Sequence, residues 1–175
     1  PVTVGGQAPA FNVTSIWAYR DISRQTTFDY DSSNLFITHL ASYQKQVSYS
    51  QELQILSPDG GAIEWLAGLY AFGARNAFDP LRVFAIMPDV MGTQQVTYGA
   101  SRTRALAAYG QGSYRLTDVM RLTAGVRYNH ERKKLVESRV LYPDANIEID
   151  YPLGATSWKN VSPKVALEYF KNAYR

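Results

Sequence analysis

The sequence predicts an all-β fold, an antiparallel up-and-down meander of about six or seven long strands. Three observations predict it. Apolar and polar residues alternate strictly over long stretches, most clearly in residues 105–132, ALAAYGQGSYRLTDVMRLTAGVRYNHER. Strands so defined run to about twelve residues, where an ordinary globular strand has about five or six. The segments between them alternate along the chain, short turns rich in Gly, Pro and Asp exchanging with long polar stretches.

Residues 1–10 read as a loop, and 11–21 as a first strand whose faces are less clean, Ile16 and Ala18 alternating with Ser15, Trp17 and Tyr19. Residues 22–40 are polar and irregular and read as a long loop. In residues 44–57, Val47, Tyr49, Leu53 and Ile55 share a face with Gln51, opposite Ser48, Ser50, Glu52 and Gln54. Ser57-Pro58-Asp59-Gly60-Gly61 is a strong turn signal. A third strand over 63–74 puts Ile63, Trp65, Ala67, Leu69 and Ala71 on one face. Residues 75–103 read as a second long loop containing the apolar run Phe84-Ala85-Ile86-Met87.

The hairpin of 105–116 and 120–132 follows. Leu106, Ala108, Gly110, Gly112, Tyr114 and Leu116 share one face, and Leu122, Ala124, Val126 and Tyr128 share the corresponding one. Opposed residues of an antiparallel pair point to the same side, so a loop between Leu116 and Met120 has an odd number of residues. Thr117-Asp118-Val119 is the shortest choice. It sets Leu116 against Met120, Tyr114 against Leu122, Gly112 against Ala124, Gly110 against Val126 and Ala108 against Tyr128. Residues 135–156 read as a third long loop, part of it a hairpin extension. Residues 157–170 form a sixth strand, with Val165, Leu167 and Tyr169 on one face. Residues 171–173 are a short turn, and Tyr174 opens a seventh strand.

Composition narrows the class. The 175 residues predict a single domain, and the absence of cysteine decides little. No run approaches the ~20 apolar residues of a membrane helix. A transmembrane barrel needs none, because its strands alternate and its mean hydropathy looks like that of a soluble protein. The 13 tyrosines suit half-wet strands and bilayer edges. A formal charge of +3 has no concentrated basic element behind it, and Arg132-Lys133-Lys134 reads as a solvated hairpin end, so nucleic acid is not an expected partner. The sequence opens at Pro1 with no signal peptide and stops as a strand begins, and it reads as an internal piece of a longer protein.

A soluble sandwich gives no reason for long loops always at one end. A bacterial outer-membrane barrel does, with short periplasmic turns and long outer loops. The first, third and fifth strands then run outward, and Leu122, Ala124 and Val126 lie in the lipid band. Tyr128 sits roughly 19 Å above Met120 at ~45° tilt, near the upper edge of a ~25 Å band, while Tyr114 and Tyr169 sit near its lower edge.

Several stretches carry a family likeness: Ser50-Gln51-Glu52-Leu53-Gln54-Ile55-Leu56-Ser57, Trp65-Leu66-Ala67-Gly68-Leu69-Tyr70-Ala71-Phe72 and Tyr109-Gly110-Gln111. They continue with Leu116-Thr117-Asp118, Leu122-Thr123-Ala124-Gly125-Val126-Arg127-Tyr128 and Ser162-Pro163-Lys164-Val165-Ala166-Leu167. In order and spacing the chain resembles the barrel region of TonB-dependent outer-membrane receptors over nearly its whole length. The resemblance implies a section of a 22-stranded barrel with a plugged lumen, of which this chain would supply about a third. It leaves the plug domain, the TonB box and the last barrel strand outside residues 1–175. It further implies active import of a large, scarce ligand, a ferric siderophore first, or haem, cobalamin or an oligosaccharide. The energy would come from the TonB–ExbB–ExbD complex, and outer-membrane lipid would surround the wall. A passive porin or other outer-membrane barrel, and then a soluble all-β binding domain with a closed core on the Leu122 face, are the alternatives.

Residues 75–103, with Phe78, Phe84, Met87 and Tyr98, are the candidate capture loop for ligand. Asp144, Asn146, Glu148 and Asp150 could offer several oxygens to a hard cation, but they lack the calcium-loop spacing and glycine and read as the wet face of a hairpin. His39 and His130 lie in separate regions and define no metal cluster. Glu52, Arg127 and Glu168 point inward and read as lumen-solvating or plug-contacting groups. The acceptor patterns Asn12-Val13-Thr14 and Asn160-Val161-Ser162 fall on strands and are disregarded. With no nucleophile–base pair, phosphate loop or zinc motif, neither catalysis nor a cofactor is expected.

Overall fold

In the computed structural model the chain forms one antiparallel sheet of eight strands. The structure describes residues 1–8, 11–29, 32, 37–58, 60–89 and 92–170, without the side chains of 7, 8, 86–89, 92 and 93. The strands are β1 (Val2–Ala8), β2 (Phe11–Asp29), β3 (Thr38–Leu56), β4 (Ile63–Asp89), β5 (Gly92–Thr117), β6 (Met120–Tyr142), β7 (Ile147–Asp150) and β8 (Ala155–Tyr169). They pair in chain order from β1 to β6. The far part of β6 then pairs with β7 and its near part with β8. The expected meander is there, and its six long strands are the six read from the sequence.

Their ends differ from that reading. β4 has 27 residues and β5 has 26, so residues 75–89 and 92–103 are not loop but continue one hairpin ladder. Likewise residues 22–29 and 38–40 are strand, with β2 running to Asp29 and β3 starting at Thr38. Residues 135–142 extend β6, a 3-10 turn at Pro143–Ala145 reverses the chain, and β7 folds back on Arg139–Tyr142, which is the expected hairpin extension. Residues 2–8, read as a loop, pair with β2 from Val2–Trp17 to Ala8–Phe11. The turn at 171–173 and the strand from Tyr174 lie outside the described residues.

The central register is the expected one: Tyr114–Leu122, Gly112–Ala124, Gly110–Val126 and Ala108–Tyr128 are partners. The turn itself is shorter. Thr117 pairs with Met120 and the ladder slips between Arg115 and Thr117, leaving Leu116 as a bulge. A two-residue turn at Asp118-Val119 with a bulged Leu116 satisfies the same parity as a three-residue loop. At the 57–62 turn, Gly60 has φ +85°, a conformation glycine adopts without a Cβ penalty. There Ser57 Oγ accepts from the Trp65 backbone N–H at 3.0 Å.

The register sorts side chains onto two unlike faces. One carries the cross-strand row Leu53–Leu69–Ala108–Tyr128–Val161 and the row Ile63–Tyr114–Leu122–Leu167, and Trp17 and Tyr19 join it from β2. Among the described residues nothing covers this face: Val165 is 77 % exposed and Leu167 59 %. Among the described residues the buried apolar set is Ala74, Ala100, Ala107 and Val140, and no large side chain is fully buried. The accessible surface is 12533 Å², whereas a folded monomer of this size exposes roughly 8,600 Å². A soluble domain closes its Leu122 face against a second layer; this sheet is a single layer. Among the described residues no helix is long and apolar enough to cross a membrane.

Candidate functional site: the polar face of the sheet

The opposite face carries the chemistry. Alternation brings Glu52 and Gln54 of β3, Tyr70 of β4, Tyr109 of β5, and Arg127 and Asn129 of β6 to the same side. Gly68 is the cross-strand partner of Tyr109. With no side chain at Gly68, the Tyr109 ring lies flat across β4, where a Cβ on Gly68 would collide with the ring and its hydroxyl. The ring thus reaches two strands over, and its hydroxyl donates to Glu52 Oε1 at 2.5 Å. Gln54 Nε2 donates to the same oxygen at 3.1 Å. The Arg127 guanidinium stands 5.5 Å from the Tyr109 ring and 5.8 Å from that of Tyr70, and its Nε donates to Asn129 Oδ1 at 2.7 Å. One network therefore ties β3, β4, β5 and β6 together through polar and cation–π contacts.

Toward the short turns a second cluster forms. Glu64 accepts from Arg115 at 3.3 Å and faces Arg121 at 3.7 Å, while Ser113 and Thr123 hydroxyls bond at 2.8 Å. Arg121 also lies 5.5 Å from the Phe170 ring. Glu168 is the cross-strand partner of Arg121 and shares this face, and Lys164 Nζ donates to Gln111 Oε1 at 3.4 Å.

Toward the far end the same face opens into a depression of about 510 Å³ spanning β2 to β6. Ile22, Arg24, Gln44, Asn76, Phe78 and Leu135 line it. A cation, several amides, an aromatic ring and aliphatic side chains can hold a mixed polar–apolar ligand by its oxygens and its flat faces.

Of the expected capture residues, Phe78 lies in this depression. Phe84 and Tyr98 lie on strands rather than in a loop, and alternation past the irregularity at Phe78/Leu81 turns them to the apolar side. Tyr98 packs there against Arg139, 4.9 Å from its ring. Met87 lies on β4, and its side chain is outside the described residues. Glu148 engages Arg139 at 3.1 Å. Asn12 and Asn160 sit on strands of the polar face, where Asn160 Nδ2 donates to Ser162 Oγ at 3.1 Å. His39 pairs in register with Phe84 and His130 with Leu106, well apart. Tyr109, Gln54, Arg24 and Asn76 escaped the sequence reading. The one available signal was a glycine placed opposite a tyrosine, which is visible only once β4 and β5 are in register.

The comparisons with known proteins agree with this geometry. The crystal structure of the ferric yersiniabactin uptake receptor FyuA from Yersinia pestis superposes with a TM-score of 0.72 at 18 % identity, over 95 % of this chain and 24 % of the receptor. The chain thus spans about a quarter of that protein's length. No curated protein matches the chain by sequence. The family described as TonB dependent receptor-like, beta-barrel matches residues 5–173, and with that coverage the chain belongs to the TonB-dependent receptor β-barrel family.

Proposed function

We propose that residues 1–175 are a section of the barrel wall of a bacterial outer-membrane receptor that imports a large, scarce ligand by TonB-coupled active transport. The observation that carries this reading is the pairing of an uncovered apolar face with a hydrogen-bonded polar face in one sheet. In water the apolar face has no partner; in a bilayer, lipid tails cover it, and the polar face borders the lumen. The Glu52–Tyr109–Arg127 network stiffens the wall where the plug of a complete receptor would sit. The depression at Phe78 and Arg24 lies farther out, where cargo arrives, and Phe78 is the first-choice contact. Phe84 and Tyr98, on the outer reach of the same hairpin, are second-choice contacts at the rim. A ferric siderophore is the favoured cargo, ahead of haem, cobalamin or an oligosaccharide. The mixed lining of the depression fits such a chelate, and the superposed neighbour is itself a ferric yersiniabactin uptake receptor. The TonB–ExbB–ExbD complex would act through a plug and TonB box beyond this segment.

The test is uptake by cells making the full-length protein under iron limitation, supplied with radiolabelled ferric siderophores. Expected are recovery in the outer-membrane fraction and accumulation that stops when TonB is removed. Recovery in the soluble fraction without detergent would sink the membrane reading. Uptake that persists without TonB would make the barrel a passive pore.

A further inference from the structure

Five basic side chains stand together on the apolar face, in its outermost aromatic row and the row immediately beyond. The row holding Tyr19 and Tyr49 continues through Gly73 to Arg104 on β5 and Arg132 on β6. The next row outward holds Arg75, Arg102 and Lys134 on β4, β5 and β6. All five are exposed. Arg75, Arg102 and Arg104 share a depression of about 350 Å³ with Val47 and Tyr49, and the bare Gly73 lets the Tyr49 ring lie down against β4 beside them.

Arg75–Arg102, Arg102–Lys134 and Arg104–Arg132 are directly opposed partners. Like charges directly opposed in a ladder repel. Among the described residues, none of the five has an ion pair with a carboxylate. The acids flanking the patch are Asp21, across the row from Val47, and Glu137, one row beyond Lys134. Such an arrangement is stabilised by an anion supplied from outside the chain. Strands lie about 4.8 Å apart and same-face rows about 7 Å apart, so the patch measures roughly 10 by 7 Å. That fits a headgroup carrying more than one phosphate better than a single small ion.

We propose that this patch binds the phosphorylated headgroup of an anionic lipid in the leaflet around the outer end of the barrel, its acyl chains lying down the Tyr49–Leu69 face. The proposal rests on the membrane orientation given under the proposed function. Arginine suits the role, since its guanidinium engages phosphate oxygens bidentately and an aromatic edge places it at headgroup depth.

The test uses the full-length receptor purified in a neutral detergent, with thermal unfolding followed as lipid is added. The probes are bisphosphorylated lipid A, its dephosphorylated form and inorganic phosphate. Lipid A is expected to raise the unfolding midpoint and the other two to leave it in place. In the variant R102Q/R104Q/R132Q the apparent affinity for lipid A falls about tenfold or more, with an unchanged midpoint in detergent alone. R102K/R104K/R132K keeps most of the effect. Equal response to dephosphorylated lipid, to inorganic phosphate, or by the Gln variant overturns the proposal. Should the Gln variant not fold, lipid A binding by the unmodified receptor must weaken with salt, and salt-insensitive binding overturns it equally. A receptor that imports cargo yet ignores the headgroup phosphate defeats this proposal alone. A protein found outside the outer membrane defeats the functional reading instead.

Discussion

The long strands of this sheet pass through two regions that share a backbone and differ in everything else. Near the short turns, from Met120 to Tyr128 on β6 or Ile63 to Ala71 on β4, one face is apolar and the other polar. Beyond the Tyr19–Tyr49 row the same strands continue, through Arg75–Asn76 on β4 and Ser101–Thr103 on β5, with polar groups on both faces. The hydrogen-bonded ladder runs unbroken through the boundary; the polarity of the side chains changes there. Period-two alternation therefore records a difference between the two faces, and the outer strands, polar on both, lose it while staying paired apart from local irregularities at Ser42/Gln44, Phe78/Leu81 and Ala100/Ser101.

The sharpest way to break this comparison is to place one new charge on the same face in each region. Val126→Arg, in the middle of the apolar rows, is expected to cost about 2–4 kcal/mol in chemical unfolding of the full-length protein in lipid vesicles. Thr27→Arg, on the same face beyond the tyrosines and opposite Ala41, is expected to stay within about 0.5 kcal/mol. Equal costs would mean that the two regions are not in different media. The exposed apolar face of β6 near the turn, with Val126 53 % exposed, would then need another explanation.

Legibility followed the same boundary. The hairpin of residues 105–132 is legible to the residue pair from Ala108–Tyr128 to Tyr114–Leu122, though not at Leu116 and Met120, because Leu122, Val126 and Tyr128 share an apolar face opposite Arg121, Arg127 and Asn129. Residues 75–103 were read as a loop because Arg75, Asn76, Gln94, Gln95 and Arg102 leave no apolar face to detect. β1 was missed for another reason. Gly5 and Gly6 weaken any strand signal, and its pairing comes from the backbone edge that β2 offers. The polar site was half legible. Glu52 and Arg127 were placed on the inner side, but the tyrosine that joins them acts across Gly68, and register is a property of two strands.

The two glycine environments offer a second comparison. A Cβ at Gly68 meets the Tyr109 ring, while one at Gly112 on the apolar face meets nothing within 4 Å. Gly68→Ala should therefore destabilise by about 1–3 kcal/mol through forced displacement of the ring. Gly112→Ala should stabilise by about 0.5–1 kcal/mol, because a strand glycine gives up more chain entropy than alanine. Opposite signs at two glycines of one sheet would locate the polar network without touching its polar groups. Tyr109→Phe comes next in size, at about 1–2 kcal/mol, since it keeps the ring over Gly68 and leaves Glu52 with Gln54 as its remaining side-chain donor. A loss as large as that of Gly68→Ala would mean that the hydrogen bond outweighs the packing.

The smallest effect belongs to the outer region and tests the comparison from the other side. Arg139 and Glu148 join β6 to β7 at 3.1 Å, but their side chains are 38 % and 50 % exposed. An ion pair so open to water is screened and worth little, and Tyr98 stays packed on the Arg139 guanidinium when the carboxylate is neutralised. Glu148→Gln should cost about 0.2–1 kcal/mol, shrinking further as salt is raised to about 1 M, where the screening length is ~3 Å. Backbone amide exchange in β7 is the measurement. A modest rise confined to Ile147–Asp150 is expected, with protection of the β5–β6 ladder unchanged. If exchange instead spreads down β6 past Lys134, the outer hairpins are part of the same cooperative unit as the apolar rows near the short turns. The boundary at the tyrosine row would then mark a change of medium without a change of stability.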